Sequence, residues 1–123
     1  MRTTKAEYLE AVDVLLDQLP RVRARLADVI CDGEASETSS GFATLARNFE
    51  ASWDGSFSAP NECRRLDQSI QSLLATVSNS GLVWQQRGKG GRSDRQTQGL
   101  MKTYAEDLAT LANDIAFLRR DLR

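Results

Sequence analysis

The chain has 123 residues, 41% of them hydrophobic and 27% charged. That is enough apolar material for one buried core and too much for a disordered segment. Sixteen basic against 17 acidic residues leave a formal charge of −1, which argues against a nucleic-acid coat or non-specific membrane adhesion.

The first apolar series runs Tyr8, Val12, Leu15, Leu19, Val22, Leu26, Val29. Steps of three and four keep these side chains on one side of a helix and form a coiled-coil-like seam. Leu9, Leu16 and Ile30 widen the stripe, as a multi-helix bundle requires. Thr4 and Glu7 have the spacing of a capping box, with Glu7 reaching back to the cap, and Asp32-Gly33 is the stop. Pro20 removes one backbone hydrogen bond, but the apolar phase is kept across it, so one kinked helix is expected.

Residues 32–41 read as a polar, acidic connector. Phe42, Leu45, Ala46, Phe49 and Trp53 then predict a shorter helix of about three turns. After a turn at 54–59, Pro60 suits the first turn of a third helix, which carries Cys63, Leu66, Ile70, Leu73 and Val77. Ser78-Asn79-Ser80-Gly81 is poor helix material. If the helix continues through it, Trp84 falls on the core face and Leu82 points away; if it ends there, Leu82-Val83-Trp84 is a short apolar tail. Residues 87–95 are a basic, glycine-rich connector, and Ser93 to Gln96 offers a second capping box. A last helix follows, with Met101, Tyr104, Leu108, Leu111, Ile115, Leu118 and Leu122 as its seam and Arg119, Arg120 and Arg123 at the negative end of its dipole. The expected fold is all-α, a single domain over residues 1–123, with three long helices and one short one packed in heptad fashion.

Histidine is absent, which removes Ser-His and Cys-His pairs, an imidazole proton shuttle and histidine metal ligands. Acidic pairs such as Asp13 with Asp17, or Glu106 with Asp107, fall on solvated flanks, where carboxylates keep ordinary acidity. No enzyme, cofactor or metal site is expected. Cys31 closes the first helix and Cys63 opens the third; antiparallel packing of those two would bring both to one end, where a disulfide is conceivable and reduced thiols are the expectation for a cytosolic chain. No run approaches the roughly 18 apolar residues of a membrane span, and the first ten residues lack a secretory h-region. The cytoplasm is the expected compartment.

Two groups of residues are candidates for binding. Arg87, Lys89, Arg92 and Arg95, with Gly88, Gly90 and Gly91 between them, precede a helix N-terminus and could receive an anion or an acidic partner. The same segment also reads as a solvated hinge. Leu82 and Phe117 fall off their own seams, as does Val14, and with Trp84 they are candidates for a docking patch. Trp53-Asp54-Gly55 resembles the Trp-x-Gly hairpin of small type VII-secreted proteins. The likeness covers three residues: the connector at 32–41 and Pro60-Asn61 depart from that pattern, and no functional residue is carried over.

These features imply a non-catalytic helical interaction module that binds a protein partner: an adaptor, a chaperone, an immunity protein or a phage-encoded inhibitor of bacterial defence. The alternative is a helical nucleic-acid-contacting subunit of a ribonucleoprotein such as a CRISPR effector, with Arg64, Arg65 and Arg119 extending the 87–95 cluster along a backbone. A homodimer is also expected, formed through the open side of the short helix or through the Leu82 region, because the short helix leaves a four-helix arrangement incomplete.

Overall fold

Thr4 opens the first helix, α1 (Lys5–Asp32). Its Oγ1 accepts the Glu7 backbone N–H at 3.1 Å, and its hydroxyl donates to the Glu7 carboxylate at 3.0 Å. Glu7 therefore meets the side chain of the cap rather than its backbone. The computed structural model describes residues 4–32, 37–53, 58–87 and 95–122. α1 passes through Pro20 without interruption, although proline leaves the Leu16 carbonyl without its helical donor.

The second helix, α2 (Glu37–Ala51), starts five residues before the apolar pattern does. Its first turns contain Thr38, Ser39, Ser40 and Gly41, so pattern and propensity both miss them. A 3-10 turn (Asn61–Cys63) follows Pro60 and leads directly into α3 (Arg64–Arg87). The last helix, α4 (Arg95–Asp121), matches the expected seam, and the Ser93–Asp94 cap lies outside the described residues.

α3 is continuous through Ser78–Gly81, and two contacts explain why poor helix formers hold that conformation. Ser80 is fully buried, yet its hydroxyl donates to the Val77 carbonyl at 2.7 Å. Gly81 lies against α2 so closely that a Cβ there would be 2.8 Å from the Ala46 Cβ. Tertiary packing overrides local propensity here. Of the two readings of this segment, the continuous helix is the one adopted.

The helices form a ring in which each packs against two neighbours, in the order α1, α2, α3, α4 and back to α1. Neighbours run antiparallel. Asp13 near the start of α1 meets Arg119 near the end of α4. Tyr8 in α1 meets Trp53, just past the end of α2. Gly81 late in α3 meets Ala43 and Ala46 in the middle of α2, while Trp53 past the end of α2 and Asp67 early in α3 both meet Tyr8. α1 and α3 lie across the ring and run parallel, joined by Tyr8 and Asp67. The all-α bundle of three long helices and a shorter one is thus as expected.

The α1 and α3 seams are buried along their whole length. The α4 seam is not. Met101, Leu108 and Ile115 are inaccessible, whereas Tyr104, Leu111, Leu118 and Leu122 are only half-buried against the core. Among the described residues no helix is long and apolar enough to cross a membrane.

The placement of both cysteines at one end is corrected, while the reduced thiol expected of Cys63 is what the structure shows. Because α2 returns the chain before α3 begins, α1 and α3 are parallel. Cys63 therefore lies at the Lys5 end of the ring, where Glu62 pairs with Lys5 at 3.2 Å. Cys31 is in the last turn of α1, a helix length of about 40 Å away. No disulfide joins them, and Cys63 is a buried free thiol.

Candidate interaction faces

A group of polar and reactive side chains gathers at the Lys5 end. The Tyr8 hydroxyl donates to Asp67 Oδ1 at 2.6 Å, and Trp53 stands edge-on to the Tyr8 ring, with centroids 5.7 Å apart and planes at 85°. Arg119 makes paired hydrogen bonds to Asp13 at 2.9 and 3.0 Å. Burial raises the Tyr8 phenol above its ordinary range, and the bond to the Asp67 carboxylate raises it further. Burial also pushes the Cys63 thiol up, aided by Glu62. A phenol and a thiol held protonated and out of solvent are poor bases and nucleophiles. What this group does chemically is fasten α1 to α3 and α4. Among the described residues no three potential metal-ligating side chains cluster.

The expected cationic residues are described only in part. Lys89 and Arg92 lie outside the described residues, Arg87 ends α3, and Arg95 opens α4 as an exposed residue. Arg64 and Arg65 open α3 at the other end of the bundle, the end at which Asp13 engages Arg119, so these three lie on the order of a helix length from Arg87 and Arg95. Trp84 is corrected as a surface candidate: it is 1% exposed, inside the core, and its indole N–H has no partner among the described residues. Leu82 and Phe117 are 50% and 63% exposed, as their phase predicts. They do not form one patch. Leu82 borders a groove of about 140 Å³ between α2 and α3, with Ala43, Ala46 and Gly81. Phe117 borders one of about 490 Å³ between α3 and α4, with Arg65, Gln68, Ser69 and Leu118. A third groove, of about 530 Å³, runs between α1 and α4 beside Pro20, Ala24, Ala27 and Ala105.

Two features of the α3–α4 side escape a search for apolar seams and cationic clusters. Asp107, Asp114 and Asp121 repeat every seven residues, all exposed, and none pairs with a described cation. They form an acidic edge alongside the half-buried row Tyr104, Leu111 and Leu118. Across from them, α3 carries no charged residue from Gln68 to Gln86. Both signals were present in the sequence as spacing and as a gap in the charge pattern.

Comparison with known proteins adds no identity: no family model, curated protein or solved structure matches the chain.

Proposed function

We propose that this protein is a non-catalytic helical interaction module whose partner is another protein, docked on the α3–α4 face. One observation carries the reading: the second row of the α4 seam, Tyr104, Leu111 and Leu118, is left half-buried beside the exposed ring of Phe117. A bundle that completes its other long seams has apolar surface to cover here. The walls specify what covers it. One is the acidic edge of Asp107, Asp114 and Asp121; the other is the flank of α3, uncharged from Gln68 to Gln86 with Arg65 at the Phe117 end. The occupant that matches is an amphipathic helix with an apolar seam and a basic flank. Depletion of charge on the α3 side fits the centre of an interface, and the aspartates fit its rim. An adaptor, a chaperone, an immunity protein or a phage-encoded inhibitor of bacterial defence would each act in this way. The acidic edge repels phosphate, so on this face the protein-binding reading is favoured over the ribonucleoprotein one.

The test compares wild type with Phe117→Asp and with the triple change Asp107→Lys, Asp114→Lys, Asp121→Lys in capture from host extract, followed by binding of the purified captured protein. The expected partner is retained by wild type, lost by both variants at unchanged helicity, and bound more weakly as salt rises. A partner retained equally by all three forms places docking elsewhere. Turnover of a metabolite by the folded protein, with no partner, overturns the reading.

A further inference from the structure

We infer that the outer face of α2 and α3 is a self-complementary surface on which a second copy of this chain docks about a two-fold axis. This face lies on the α2 side of α3 and meets the α3–α4 groove only at Gln68, and the inference stands whether or not a partner binds in that groove.

The outer stripe of α3 consists of Gln68, Gln71, Ala75, Asn79, Leu82 and Gln86, all exposed. It offers no charge to a charged partner. It is well suited to meeting itself, because an isologous contact places like residues near one another and a charged stripe would be repelled. On α2 beside it, Arg47 and Glu50 are both exposed, border the same groove as Leu82 and pair with no described residue.

These features agree on where the axis lies. A two-fold perpendicular to the helices sets α2 antiparallel to its copy, so Arg47 meets the second copy's Glu50 twice when the axis passes midway between them. Gly81 lies against Ala43 and Ala46, and antiparallel helices advance residue for residue. The midpoint of Arg47 and Glu50 is therefore level with the Val77–Asn79 stretch of α3. About that level Leu82 of one copy falls on the turn of the other that exposes Ser72 and Ala75, a large apolar side chain over small ones. The uncharged run from Gln68 to Gln86 is centred within two residues of the same level. The Leu82 contact, the ion pairs and the neutral stretch all point to one arrangement.

The face is small. It is about 28 Å long and two helices wide, on the order of 500 Å² per copy, against the roughly 800 Å² per partner of stable complexes. The dimer should therefore be weak, half-formed on the order of 0.1 mM.

The experiment is sedimentation equilibrium of the full chain from about 10 µM to about 1 mM, with helicity checked by circular dichroism. The wild-type mass should rise from 13.6 kDa towards twice that value. Leu82→Glu should stay monomeric across the range. Arg47→Glu and Glu50→Arg should each weaken association about tenfold, while their equimolar mixture, which restores opposite charges across the axis, should associate at least as well as wild type. A wild-type mass that stays at the monomer value overturns the inference. So does a dimer that Leu82→Glu leaves intact, or a mixture no better than its components.

Discussion

Replacing Gly81 by alanine tests the closest approach in the bundle. The added Cβ would lie 2.8 Å from the Ala46 Cβ, where ordinary contact begins at 3.4 Å. Two terms oppose. Alanine gains about 1 kcal/mol of helix propensity over glycine. Forcing a methyl group into packed helices costs about 1–3 kcal/mol. The sum is a net destabilisation of up to about 2 kcal/mol. Gly99 is the control, because it lies within α4 and a Cβ there meets nothing within 4 Å. Gly99→Ala keeps the gain alone and should stabilise by about 0.5–1 kcal/mol. The difference between the two variants cancels propensity and isolates the clash. It is read from urea unfolding of both, or as a Tm gap of roughly 3–6 °C per kcal/mol at this chain length. Removing the opposing methyl group with Ala46→Gly in the Gly81→Ala background should recover the packing loss. If both glycine variants stabilise equally, α2 and α3 are not in close contact and the account of Ser78–Gly81 fails.

Leu15→Ala should cost about 2–5 kcal/mol in chemical denaturation, because Leu15 is buried. Leu111→Ala should cost clearly less, because its side chain is half-buried, and Glu106→Ala should stay within about 0.5 kcal/mol; equal losses at Leu15 and Leu111 would contradict the asymmetry of the α4 seam. For Tyr8 the folded state holds the phenolic proton above its ordinary range, so its contribution is complete below about pH 10 and declines as pH rises, by at most about 1.4 kcal/mol per pH unit. Tyr8→Phe should be less stable at neutral pH by about 1–2 kcal/mol and show a flatter alkaline limb; an unchanged limb would remove Tyr8 as its source. In a Cys31→Ser background, Cys63 should react with a thiol reagent only as fast as the protein unfolds, since it is buried and its thiolate is disfavoured. Rapid labelling of the native protein would show that the Lys5 end opens.

The long helices were legible because each repeats one apolar step over many turns, which no other structure accommodates. The first five residues of α2 were not: Glu37 to Gly41 have no apolar phase and are mostly poor helix formers. Orientation was lost for the same reason. Once α2 is a full antiparallel member of the ring, α1 and α3 become parallel, which separates Cys31 from Cys63. Heptad phase correctly sent Leu82 and Phe117 outward but carried no information on their distance from each other. Trp84 was placed correctly by the continuous-helix reading and wrongly by its nomination as a contact residue. The aspartate repeat was missed because it is a pattern in the polar residues, and the seams were read from the apolar ones.

The order of the ring has a kinetic consequence. Three of its four seams join helices consecutive in the chain, so each can close as a local hairpin. The fourth joins α1 to α4, and the Asp13–Arg119 pair on it spans 106 residues. Closing that contact first costs about 1–2 kcal/mol more in loop-closure entropy than closing a hairpin does, so the order of the ring favours hairpins. On that ordering the α1–α4 seam is the one expected to shut last. A contact made after the transition state leaves the folding rate untouched and sets the rate of opening. Loosening the α1–α4 seam, as Asp13→Ala would, should then shorten the lifetime of the native ring while leaving its folding rate nearly unchanged.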